Sequence, residues 1–355
     1  MDLNRLIKQV KYNCNVSDAR FWGYYSICGL LLRMREIYRN EKGMMPWEKI
    51  PSEDISLWIG DREKLWKELE KEEFQPLEID GKSFGPFDVE EINRVLNKRG
   101  LLYGGGYSTF GKPSFFLAQL KEKKELYDYT IYFAEKELCR DLSTSIAMLQ
   151  GICIFLRTES LRSILWEKIQ EMKCKRFESL LDRAFALYEI KKGVEDPKSL
   201  YQKVEIIAQD IADIFVFHEI GEAVEDRYGF QWRDVTGTER WTELHLRGIK
   251  DMLADTTDYG PLRLIIEKKD ERLLFFYLLF FDSIRKTLFP EIIDSFQRFL
   301  DLGDWDILEE ARIKGYRRAR SILEEVAGII ENNRDLSSLN SLIKKSLEKV
   351  LNIKS

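Results

Sequence analysis

Two short stretches hold most of the residue types that metal or acid–base chemistry needs. The first is His218-Glu219-Ile220-Gly221-Glu222, an HExxE pattern. Residues four apart are neighbours on a helix, so His218 and Glu222 can grip one cation from a single rigid face. The second stretch, Glu239 to Asp258, carries Glu239, Glu243, His245, Asp251 and Asp255. His245, Gly248, Ile249 and Met252 share a face there, and Asp255 borders it. Asp251 and Asp255 are again four apart, a spacing at which two carboxylates chelate one ion or bridge two. Glu239 and Glu243 can instead pair with basic residues on an exposed face, Glu243 with Arg247. The candidate metal ligands are therefore His218, Glu222, Asp251, Asp255 and His245. The two histidines among them are all that the chain has.

HEIGE resembles, over its five residues, the HExxH helix of the zincin metallopeptidases, in which both histidines bind zinc and the glutamate activates water. The resemblance implies that His218 is a ligand and Glu219 the general base. Glu222 stands where the second histidine belongs, and a carboxylate is a harder donor than an imidazole. The expected cofactor is thus a divalent metal ion: zinc, manganese or iron. One branch of those enzymes takes its third ligand from a carboxylate on a following helix, the place that Asp251 and Asp255 occupy here. This points to a metal-dependent hydrolase of a small-molecule or peptide substrate. Two other readings compete with it. In one, a non-catalytic helical scaffold buries His218 in a polar network, with Glu222 paired to Arg227 or a distant arginine and Asp251 to Arg247. In the other, Glu137 joins His218, Glu222, His245 and Asp255 in a di-iron carboxylate oxidase, although the chain has no ExxH. Nucleophilic catalysis has little support, since there is no GxSxG and neither Cys139 nor Cys153 has a nearby histidine.

The elements that must position these residues are mostly helical. From Val204 to Gly229 the pattern predicts one amphipathic helix, with Ile207, Ile211 and Ile214 on a stripe that continues through His218, Glu222 and Glu225. An apolar stripe faces the core, and charges enter a core only when paired or metal-bound. Thr238 is expected to cap the next helix, which runs to Ala254. Gly260-Pro261 breaks the chain, and further helices follow over 261–289, 290–302, 304–332 and 336–353. The run LLFFYLLFF, Leu273 to Phe281, is nine residues long where a bilayer span needs about twenty, so it reads as a buried helix.

Upstream, residues 1–40 read as helical, with Asp18 capping a helix whose apolar face ends at Leu32. Residues 52–72 are helical too. Asp80-Gly81 marks a hairpin turn, and Asp88 suits the N-cap of a short helix. A β-hairpin is expected from Ser114–Leu120 and Leu126–Ala134 around a charged tip, Lys121–Glu125. Leu142 to Ile190 reads as helical, with Glu137 to Asp141 as an acidic helix N-terminus, and 191–199 reads as a linker. The fold class is predominantly α-helical (α+β) with a small β-hairpin element near 100–136. The expected division is 1–139, an N-terminal helical region with the hairpin, and 140–355, a C-terminal helical domain with the metal site, unless the two are continuous.

With 355 residues and 44% of them hydrophobic, the chain can bury a sizeable core. A net charge of −5 offers no general attraction to nucleic acid. The basic run Arg312, Lys314, Arg317, Arg318 and Arg320 is flanked by glutamates at 309, 310, 324 and 325, so it reads as a salt-bridged face. Neither nucleic acid nor membrane is an expected partner. Gly104, Gly105 and Gly106 lack the GxxxxGK[ST] phosphate loop and point to a tight turn or close backbone packing. Five scattered cysteines with no CxxC, and a start without a long apolar run, fit the cytoplasm. FGKPSFFLAQL, ELCRDLS, LRSILWEK and HEIGEA followed by KDMLADT together resemble an uncharacterised bacterial family of predominantly helical proteins. That resemblance spans most of the chain, implies no known activity, and presents HEIGE and KDMLAD as a paired unit.

Overall fold

A computed structural model of the chain describes residues 1–108, 111–174, 179–193, 196–226, 239–333 and 336–351. The chain divides into two compact units, Met1–Gln170 with Val194–Ala208 and Glu171–Gly193 with Gln209–Ser355. The fold is predominantly helical α+β, as expected.

The first unit opens with α1 (Leu3–Phe21), α2 (Ile27–Lys42) and α3 (Ser52–Leu69). A small hairpin of β1 (Leu77–Ile79) and β2 (Lys82–Phe84) and the helix α4 (Val89–Leu96) lead into β3 (Leu101–Tyr107), β4 (Pro113–Leu126) and β5 (Tyr129–Arg140). Then come β6 (Ala147–Gln150), β7 (Cys153–Arg157) and α5 (Thr158–Cys174). After α6 (Leu180–Ala186), which belongs to the second unit, α7 (Pro197–Asp210) returns to the first. The five-stranded sheet has the order β3-β4-β5-β7-β6, antiparallel except for the β5–β7 pair. Its core joins Leu6 and Val10 of α1, Ile92 and Leu96 of α4, and Tyr103, Phe115, Phe116 and Phe155 of the strands.

The sheet is larger than the expected hairpin, for two physical reasons. Residues 142–157, expected to be helical, supply β6 and β7; every residue of β7 is buried, and a short run buried on both faces carries no alternation to separate strand from helix. Lys121–Glu125, expected as the hairpin tip, lies inside β4, and Tyr127 and Asp128 turn the chain. Those five residues are all exposed, so their charges imitate a loop. Glu137 to Asp141 likewise lies on and just after β5 and not at a helix N-terminus. Asp18 sits within α1, 2% exposed, and is no cap.

Other local expectations hold. Asp80 and Gly81 both have positive φ, 52° and 78°, the conformation of a two-residue hairpin turn. A Cβ at Gly104 would overlap the Phe116 ring and one at Gly106 the Gln150 side chain, so these glycines serve close packing.

Among the described residues, every secondary-structure element of the second unit is a helix. After α6 it contains α8 (Ala212–Asp226), α9 (Arg240–Thr256), α10 (Pro261–Lys268), α11 (Glu271–Leu279), α12 (Ser283–Leu288), α13 (Pro290–Leu302), α14 (Asp306–Asn332) and α15 (Leu336–Leu351). The single helix expected over 204–229 is two, α7 and α8, interrupted at the buried Ile211. Arg227, Gly229 and Thr238 lie outside the described residues. Pro261 and Pro290 start helices, where the missing N–H costs nothing. All of Leu273–Leu279 is buried in α11, and no described helix is long and apolar enough to cross a membrane. Gly221 sets the spacing of α8 and α9, because a Cβ there would overlap the Ala254 carbonyl.

Candidate metal centre

The close approach at Gly221 puts the HExxE face of α8 against the carboxylates of α9. His218 Nδ1 lies 2.7 Å from Asp255 Oδ1. Its other ring nitrogen, Nε2, lies 3.9 Å from Asp251 Oδ1 and 4.0 Å from Glu222 Oε2. One donor atom each from His218, Glu222 and Asp251 all fall within 4.8 Å of one another, a separation that one metal ion can bridge.

The remaining carboxylate oxygens are held by cations and a hydroxyl. Arg285 of α12 donates to Asp251 Oδ2 from Nε at 3.2 Å and from NH2 at 2.9 Å. Lys250 donates to Glu222 Oε1 and, at 3.4 Å, to Asp226. Asp255 Oδ2 accepts from the Tyr277 hydroxyl at 3.0 Å and lies 3.5 Å from Arg285 NH1. Glu222 and Asp251 are thus each anchored through one oxygen and present the other to His218 Nε2. Asp255, 2% exposed, fixes the imidazole from behind. A carboxylate on the far ring nitrogen is the usual support of a metal-bound histidine, since it sets the tautomer and the ring orientation.

The electrostatics follow from this arrangement. Burial alone would lower the His218 pKa, but Asp255 and Asp251 outweigh it and hold it at about 9. Burial, with the Glu222 carboxylate adding to it, pushes Glu219 up to about 7. Burial would raise Asp251, yet Arg285 and His218 keep it below its ordinary value. Burial would lower Lys250, and Glu222 overrides that to raise it.

Of the five candidate ligands, the structure brings His218, Glu222 and Asp251 together as donors and sets Asp255 behind the histidine. It does not bring His245 to them. That side chain is 7% exposed, its Nδ1–H meets the Trp241 carbonyl at 2.8 Å, and its ring stacks on Trp241 at 3.8 Å between centroids. Glu243 pairs with Arg247 at 2.9 Å, as expected, and Glu239 with Lys344 at 3.5 Å. Asp251 pairs with Arg285, where the scaffold reading had offered Arg247. The stripe's last member, Glu225, is buried against Tyr316 and Arg320.

Glu137 is on β5 and not on a helix, bound to Arg157 at 2.7 Å and Arg140 at 3.2 Å, so it is not the helical carboxylate that the di-iron reading takes it to be. The basic run of α14 is salt-bridged, with Arg318 on Glu291 and Arg320 on Glu225, while Arg312 is buried against Glu309 and Asp258. Lys250, Tyr277 and Arg285 escaped the sequence reading. Tyr277 and Arg285 reach the site from helices far along the chain, and no periodicity announces such contacts.

No curated protein and no solved structure matches the chain. Two family models do, one described as "Family of unknown function (DUF6866) N-terminal domain" over residues 5–157 and its C-terminal counterpart over 162–349. The HExxE helix and the carboxylates of α9 both fall in the C-terminal match, and together the two matches span nearly the whole chain, which belongs to the DUF6866 family.

Proposed function

We propose that this protein is a metal-dependent hydrolase whose ion is held by His218, Glu222 and Asp251. The convergence of one nitrogen and two free carboxylate oxygens, with Asp255 behind the imidazole, carries this reading. A divalent cation bound there supplies Lewis acidity toward water and toward a carbonyl or phosphoryl oxygen. The mixed donor set suits zinc, manganese or iron. Asp255 keeps Nε2 directed at the donor cluster. Glu219 lies one residue from His218 and within electrostatic range of Glu222, Asp251 and Lys250. Its role is to take a proton from the attacking water. The substrate is a small molecule or a peptide, and neither nucleic acid nor membrane is a partner. The five free cysteines, three of them buried, accord with a cytoplasmic setting.

The test is a screen of the metal-loaded full chain against chromogenic esters, phosphoesters and amides. Glu219→Gln is expected to keep the metal and lose about 10²–10⁴-fold in turnover. A loaded protein that hydrolyses none of them, or a Glu219→Gln variant with undiminished turnover, contradicts the hydrolase.

One observation favours a second reading, a non-catalytic scaffold. Lys250 and Arg285 already pair with Glu222, Asp251 and Asp255 without a metal. That reading expects no stoichiometric ion, and Glu222→Ala to be destabilised because Lys250 loses the closer of its two carboxylates, Glu222, and keeps only Asp226 at 3.4 Å.

A further inference from the structure

A cavity of about 350 Å³ in the first unit is walled by the rings of Phe21, Tyr24 and Tyr25, by Arg33 of α2, and by residues 143–145 ahead of β6. Ser108 and Lys112 complete its lining, which among the described residues contains no carboxylate. The two cations differ in what they have left to give. Lys112 is spent, because its Nζ lies 3.1 Å from Asp18, 3.2 Å from Asp141 and 3.4 Å from the Pro113 carbonyl. Arg33 donates only from Nη1, to the Leu142 carbonyl at 3.1 Å and to the Thr144 hydroxyl. Its Nε and Nη2 make no hydrogen bond among the described residues, and neither is shut off from water. Burial lowers Arg157, Arg162, Arg285 and Arg312 too, but neighbouring carboxylates outweigh it and raise them. At Arg33 burial prevails, since Glu167 and Asp141 act on it only from beyond ion-pairing distance. A half-buried cation that lacks a counter-ion and faces a cavity points to an anionic ligand.

The remaining donors select the anion. The Arg33 guanidinium sits over the Tyr25 ring, 4.7 Å from its centroid, which fixes its plane and leaves its N–H edge for an oxyanion. Thr144 accepts from Arg33 and so keeps its own hydroxyl proton to donate. The Ser143 and Ser145 hydroxyls share one bond at 3.2 Å, which leaves one proton of that pair unspent. An arginine edge alone serves a carboxylate or a phosphate, but further hydroxyl donors suit an oxyanion with three free oxygens. Phe21 and Tyr24, stacked at 5.5 Å between centroids, offer an apolar wall beside these donors. We propose that this cavity binds a small phosphate monoester, its phosphoryl oxygens on Arg33 and the hydroxyls of residues 143–145 and its organic part against Phe21 and Tyr24. The proposal is independent of the metal site.

The test is calorimetric titration of the full chain with inorganic phosphate, phenyl phosphate and benzoate, in a chelator so that no bound cation holds the anion. Phenyl phosphate should saturate one site, more tightly than inorganic phosphate and at least about tenfold more tightly than benzoate. Arg33→Gln should lose at least about tenfold toward both phosphates. Tyr24→Ala trims a ring that is 51% exposed and so spares the fold. It should weaken phenyl phosphate and leave inorganic phosphate unchanged, and it decides the matter if Arg33→Gln does not fold. No binding of either phosphate at millimolar concentration overturns the proposal. Full affinity for phenyl phosphate in a folded Arg33→Gln or in Tyr24→Ala would place the ligand elsewhere and overturn it too. Benzoate that binds as tightly as phenyl phosphate would mark a plain carboxylate site, which also contradicts it.

Discussion

In the first unit Lys112 lies 3.1 Å from Asp18 and 3.2 Å from Asp141, all three side chains at most 3% exposed. In the second, His218, Glu222 and Asp251 are 17%, 24% and 31% exposed. Both clusters set several carboxylates around one basic group. The difference lies in where the spare oxygens go. Asp18 accepts the Leu142 N–H, and Asp141 accepts those of Phe115 and Ser143. Backbone amides thus consume the capacity that the lysine leaves, and the cluster staples α1 to the strand ends. Around His218 no amide among the described residues does this, and oxygens of Glu222 and Asp251 stay directed at Nε2. A closed cluster specifies a fold, whereas a half-open one leaves donors for a ligand. That contrast distinguishes the two clusters better than residue type does.

The largest effect should come from breaking the closed cluster. Lys112→Met leaves two buried carboxylates without their cation, and such a loss costs about 3–5 kcal/mol. Urea unfolding should show it; a loss below about 1 kcal/mol would mean that the amides suffice, and the contrast would fail. Next is the spacing of the half-open cluster. Gly221→Ala forces a methyl against the Ala254 carbonyl and should cost about 1–3 kcal/mol, while weakening metal binding because α8 shifts from α9. Unchanged stability and affinity would show that the approach of the two helices does not set the site.

The smallest effect is in pH dependence. Burial, with Asp141 adding to it and Lys112 opposing it, raises Asp18 from 3.8 to about 6. The folded state therefore binds more proton than the unfolded chain between those values. The contribution of Asp18 to stability is fully present below about pH 3.8 and is lost as pH rises through about 6. The stability difference between wild type and Asp18→Asn should fall by about 1–3 kcal/mol across that window. A difference that stays flat would mean that Asp18 titrates normally.

The site was legible where its signal is local. Positions 218 and 222, and 251 and 255, are helical neighbours by spacing alone, and the structure puts all four in one cluster. The division of labour among them was not legible, because whether a carboxylate faces the Nε2 or the Nδ1 side of an imidazole depends on how two helices cross. Arg285 and Tyr277 were invisible for the same reason, and His245 misled because scarcity is not geometry. In the fold, Asp80-Gly81 and Gly260-Pro261 work through backbone conformation and could be read directly. β6 and β7 could not, since burial on both faces erases the period that distinguishes strand from helix. Asp18 looked like a cap because a buried partner as distant as Lys112 leaves no trace in the local pattern.

The central claim is that the half-open cluster holds a metal, and elemental analysis of the full chain, purified without chelator, tests it most directly. We predict about one divalent ion per chain in the wild type, none in a His218→Ala variant that still folds, and affinity about 10- to 100-fold weaker in Asp255→Asn. A wild type that takes up no zinc, manganese or iron on reconstitution, or a His218→Ala variant that keeps its ion, would contradict the assignment.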